Sequence, residues 1–133
     1  MAINFHQALG IYESSLRLRS QRAEILSSNL ANMDTPNFKA RDFDFNAALN
    51  QAMAGNSSGD MRQTQERHLP SVSGGANVGQ LFYRTPTQPS IDGNTVDEHL
   101  EHAEFMANSL EFQTAFTLLN SRFKGLLSAI RGE

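Results

Sequence analysis

His99 and His102 are three residues apart and flanked by Glu98 and Glu101. On a helix that spacing turns two imidazoles to one face, where they reach a common metal ion. His6 and His68 lie far off in sequence, and the HExxH order of a metalloprotease is absent. The pair therefore reads as part of a solvated, acidic first helical turn. The chain has no cysteine, which excludes a thiolate nucleophile, a disulfide framework and cysteine-held metal sites. Ser14, Ser15, Ser20, Ser27 and Ser28 sit in a helical pattern without the strained elbow that exposes a nucleophile. The glycines at 55–59 and 74–79 lack the lysine of a phosphate-binding loop. Arg17, Arg19 and Arg22 form a short basic row suited to surface ion pairs or an acidic partner. No catalytic constellation emerges, and neither a cofactor nor a small-molecule substrate is expected.

Composition supports that reading. Of 133 residues, 39% are apolar and 19% charged, with a net charge of −3. This is too apolar for wholesale disorder and too polar for a membrane protein. Mild acidity supplies no counterion-release drive toward nucleic acid. The first residues, Met1-Ala-Ile-Asn-Phe-His6, have neither the basic nor the apolar region of a cleaved secretory signal.

Three regions follow from residue usage. Between Gln51 and Thr95 lie six of the nine glycines and three of the four prolines. The flanks carry helical periodicity instead. Phe5, Leu9, Tyr12, Leu16, Arg19, Ala23, Leu26 and Leu30 step by 4 and 3, which is a heptad seam. Ile11, Leu18 and Ile25 form a second row. The spacing predicts a helix from about Asn4 to Ala31, stopped by Asp34-Thr35-Pro36, because proline disfavours helical geometry in the residue before it. Phe105, Ser109, Phe112, Phe116, Leu119, Phe123, Leu126 and Ile130 repeat the pattern near the C-terminus. Thr95-Val-Asp-Glu98 has the form of a capping box in front of it.

The expected fold is mostly α, with long N- and C-terminal helices pairing as an antiparallel coiled coil. Residues 1–33 and 95–133 form the helical core, and 34–94 an irregular outer segment. That segment holds a short helix near 45–54, capped by Asp44, an extended stretch at Leu81–Arg84 and a turn at Asp92-Gly93. One hairpin cannot cover both seams and the second row, so apolar surface is left for other chains. An interaction or structural protein is favoured over an enzyme.

The stretch Ser28-Asn-Leu-Ala-Asn-Met-Asp-Thr-Pro-Asn-Phe-Lys-Ala-Arg-Asp-Phe-Asp-Phe45 resembles the signature that follows the first helix of bacterial flagellar axial proteins, and its Asp-Thr-Pro form is similar to the proximal-rod branch. Its motif positions are Asn29, Asn32, Asp34, Thr35, Pro36, Lys39, Arg41 and Asp42. A second stretch carries Tyr83, Arg84, Asp92, Gly93 and Asn94 and supports the likeness. Asn37 stands where axial proteins usually have glycine, and asparagine tolerates the positive φ of a type II turn there. Asn29 and Asn32 sit where the first helix must end, as terminators, subunit contacts or both.

The resemblance implies a subunit of the rod, in which terminal helices form the inner layer of a helical tube. Expected partners are further copies, other rod proteins, the adaptor FliE, the MS ring and the export gate. The resemblance also implies export by the flagellar type III apparatus without a cleaved signal. Family knowledge suggests a Phe-x-x-x-hydrophobic export segment; Phe5–Leu9 fits, and Phe45 with Leu49 is the preferred candidate. The other reading is a cytosolic helical-hairpin adaptor or chaperone that binds a partner helix along Phe105–Ile130.

Overall fold

A computed structural model describes residues 9, 11–53, 80–86, 88 and 90–132. Phe5, His6, His68 and the loops expected at 55–60 and 73–76 lie outside them. The described elements are α1 (Ile11–Ala31), β1 (Arg41–Phe43), α2 (Phe45–Met53), β2 (Leu81–Tyr83) and α3 (Glu98–Arg131). The chain is mostly helical, and α1 and α3 pack together. Asn29 meets Glu101 near one end of the pair, and the Arg122 guanidinium lies over the Tyr12 ring near the other. The pair is therefore antiparallel.

Helix ends are set by local chemistry. Ala31 is followed by tight turns, with the Asn32 amide donating to the Asn29 carbonyl and the Asn32 side chain to the Ser28 carbonyl. Asn37 takes φ 62 in the turn after Pro36, as its residue type permits. Asp44 caps α2, its carboxylate accepting from the amides of Asn46 and Ala47. The cap of α3 differs from the expected box. Asp97 is the N-cap and accepts from the His99 and Leu100 amides. The Thr95 hydroxyl accepts instead from the Ala40 amide at 2.8 Å, so it ties two loops together.

β1 and β2 pair antiparallel with Arg41 opposite Tyr83, Asp42 opposite Phe82 and Phe43 opposite Leu81. β1 falls in the stretch whose spacing predicts no regular element. It lays Phe43 on α1, where Leu18, Phe43 and Ala48 form a small core joined by Ile25, Phe45 and Leu49. Leu18 and Ile25 of the second row are therefore covered by this chain's own strand and short helix, not held for other chains.

The seam of α3 is also rotated from the expected one. Facing α1 are Glu101, Asn108 and Ala115, all buried and seven residues apart. Phe105 and Leu119 beside them are half-buried. The expected alternate row turns away: Ser109 and Phe123 are exposed, Phe116 is 57% exposed and Ile130 82%. The 4-3 rhythm fits either column beside the Phe105–Phe112–Leu119–Leu126 line, and the pairing with α1 uses the more polar one. Leu9, ahead of α1, and Tyr12, Leu16 and Leu30 within it are half-buried, and Leu26 is fully buried.

Candidate functional site

Two polar assemblies bring the motif residues together. The first joins α1, β1, β2 and α3. Asn29, 1% exposed, donates from its side-chain amide to the Arg41 carbonyl at 2.8 Å and to the Glu101 carboxylate at 3.2 Å. Its carbonyl oxygen accepts from the Arg41 amide. Arg84, the residue after β2, grips two carboxylates, Asp42 at 2.5 Å and Glu101 at 2.9 Å. Arg22 does the same from α1, with Asp42 at 3.0 Å and Glu104 at 2.9 Å. Two guanidiniums thus hold three carboxylates around one junction.

Burial and pairing compete at each charge. Burial works against ionisation of Asp42, but hydrogen bonds from Arg22, Arg84 and the Phe43 amide, with the Arg22 charge, hold its carboxyl below the usual range. At Glu101 burial prevails over the Asn29 hydrogen bond and the Arg84 charge, so its carboxyl is pushed up. Burial also opposes the Arg22 charge, yet Asp42 and then Glu104 more than offset it and raise the guanidinium.

The second assembly ties the turn after α1 to the loop before α3. The Asn94 side-chain amide reaches the carbonyls of Asn32, Met33 and Thr35 at 3.1, 2.7 and 3.1 Å. Its oxygen accepts from the Val96 amide. Lys39 donates to the Gly93 carbonyl, the Asn37 amide to the Asp92 carbonyl and the Thr95 amide to the Phe38 carbonyl. Gly93 has φ +74, and a Cβ there would stand 2.7 Å from the Asn37 side-chain oxygen. Glycine is required by both backbone and space.

Asp34, Thr35 and Pro36 are exposed turn residues. The Arg41 guanidinium lies 5.5 Å from the centroid of the exposed Tyr83 ring. Asn29 is a latch inside α1, whereas Asn32 does cap the helix end. Phe45 and Leu49 pack toward the Leu18 core, and Arg19 stacks 3.7 Å over the Phe45 ring. These apolar side chains therefore have a structural duty, which narrows what an export role must explain.

His102 lies 3.9 Å from Glu98 on the exposed face of α3. Among the described residues no group of three or more histidine, aspartate or glutamate side chains is placed to hold a metal. No described helix is long and apolar enough to cross a membrane. Arg22, Glu101, Glu104 and Asn108 belong to these polar contacts although no sequence motif marks them. The signal was available: extending the Phe105 column back by four residues lands on Glu101, a charge in a seam position.

The sequence profile described as flagella basal body rod protein matches residues 11–39. Flagellar basal body rod protein FlgB of Aeromonas hydrophila is 48% identical over 134 residues, covering 100% of this chain and 99% of that protein. The FlgB protein of Cereibacter sphaeroides is 46% identical, covering 97% and 98%. That of Salmonella typhimurium is 40% identical, covering 94% of each.

Proposed function

The chain belongs to the FlgB family of flagellar basal body rod proteins, and from that premise we propose that it builds the proximal rod by helix packing between copies. The observation that supports this is the flank of α3 bearing Phe116, Phe123 and Ile130, which the described residues leave exposed. Apolar rows of this kind on long helices gain stability when a neighbour's helix covers them. Heterologous contacts that do not close on themselves then generate a tube. Residues 1–33 and 95–133 would form its inner layer and 34–94 its outer part. The tube would transmit torque and enclose the export path. Its lower end would meet the adaptor FliE, the MS ring and the export gate, and its upper end other rod proteins. The subunit would reach that place through the flagellar type III apparatus, with the segment at Phe45 and Leu49 as its candidate export signal.

A deletion strain tests this. Loss of motility together with basal bodies that lack a rod is the expected phenotype, restored by the wild-type chain. Secretion of the subunit into the medium of a strain blocked later in rod assembly is also expected. Retention in the cytosol with intact rods would favour the adaptor reading instead.

A further inference from the structure

Asn108 sits at the middle of the α1–α3 seam, 2% exposed. Its side-chain amide donates to the Arg19 carbonyl at 2.9 Å. That carbonyl lies inside α1, where the helical ladder already supplies it with an amide four residues on. Among the described residues the Asn108 side-chain oxygen has no hydrogen-bond partner. A buried amide with one redundant bond and one orphaned acceptor does not stabilise the fold in which it lies.

Its neighbours in the same column give it another meaning. The partly covered column Phe105, Phe112, Leu119, Leu126 is apolar throughout and tolerates displacement by one heptad. The column beside it, Glu101, Asn108, Ala115 and Arg122, holds an acid, an amide, a small residue and a base. Each meets a different feature: Glu101 the Asn29 and Arg84 side chains, Asn108 the Arg19 backbone, Arg122 the Tyr12 ring. Ala115 is buried at the hollow bordered by Tyr12, Ser15 and Leu49. The contacts around Asn94 tie down the entry to α3, and the ion pair of Arg22 with Glu104 and that of Arg19 with Glu111 lie on the rim of the seam, so among the described residues Asn108 and Ala115 carry its buried middle.

We infer that Asn108, with the column it belongs to, is a specificity-determining residue that fixes the register and the own-chain pairing of α1 with α3, at a cost in stability. A single buried asparagine in a heptad seam has this effect in coiled coils. The inference does not depend on the flagellar role, since it concerns how the helices of one chain find each other.

Because the chain has no cysteine, spin labels can be placed on Ser27→Cys and Ala107→Cys, both exposed. Electron–electron distances are measured in the full-length chain diluted into unlabelled protein. The wild-type seam should give one narrow distance. Asn108→Leu should melt at a higher temperature yet add a second, resolved distance, as a one-heptad slip shifts the helix about 10 Å along its axis, or lose the signal from the range where helices exchange between copies. Asn108→Ala, which adds no bulk, should broaden the distances in the same way. A single unchanged distance in both variants overturns the inference. A lower melting temperature for Asn108→Leu also overturns it, because Asn108 would then be a stabilising contact.

Discussion

Asn29 and Glu101 are 72 residues apart in the chain, and their side chains meet at 3.2 Å with almost no exposure. Through Arg41 and Arg84 this contact joins both long helices and both strands. The junction is held by polar groups where a larger protein would place a hydrophobic core. Its stability therefore rests on complete pairing, since each unmet partner pays its full desolvation.

Asn29→Ala removes the side-chain partner of both Arg41 backbone groups and one of the two partners of Glu101. A loss of about 1–3 kcal/mol is expected for an unsatisfied buried polar group. Urea unfolding followed by circular dichroism measures it. An unchanged midpoint would show that water replaces the side chain without loss.

Arg84→Met strips the guanidinium from two carboxylates, one of them almost wholly buried. Breaking such a pair from one side costs about 3–5 kcal/mol. Arg84→Lys should recover only part, because an ammonium cannot present the two-pronged grip. Equal stability of the lysine variant and wild type would show that only charge is needed.

The two carboxylates should respond oppositely to pH. The Asp42 carboxyl is depressed below 3.8, so its contribution is present above that value and is lost as pH falls through the folded-state value. The gap between wild type and Asp42→Asn should be wide at neutral pH and close in acid. The Glu101 carboxyl is raised above 4.5, so the wild type should lose stability relative to Glu101→Gln as pH rises past that point. Denaturant midpoints between pH 3 and 7 give both slopes. Parallel slopes would contradict the assignment.

Gly93→Ala meets both a left-handed backbone and the Asn37 side chain. The backbone penalty alone is about 1–2 kcal/mol. Thermal melting should show the loss, and Asn37→Gly should relieve only the steric part.

Much of this fold is legible in the sequence because it follows from spacing and punctuation. Heptad rhythm gives the two helices, Pro36 and Asn32 the end of the first, and Asp44 the start of the short one. What escapes is decided between distant segments. Thr95 has the sequence of a cap, but the Ala40 amide claims its hydroxyl. Phe116 and Phe123 have the character of buried seam residues, but Asn29 and Arg84 draw Glu101 inward and rotate α3 accordingly. Several motif residues read from the sequence only as a helix end or a turn; their mutual hydrogen bonds depend on the tertiary contact of residues 29–42 with 84–101.

Phe116→Ala separates folding from assembly. The ring is more than half exposed, so the monomer should lose well under the roughly 3–5 kcal/mol of a buried phenylalanine. Motility should nevertheless be abolished while export persists. Swimming at the wild-type rate would show that this flank faces solvent in the rod.

The most direct measurement is thiol accessibility at Asn120→Cys, on the exposed face of α3 beside the phenylalanine row, with Asn46→Cys on α2 as the reference. Both positions should react rapidly with maleimide in the free subunit. In purified basal bodies the cysteine at 120 should be protected while that at 46 keeps its reactivity. Equal reactivity at 120 in the free and assembled states would contradict packing of this helix face between copies.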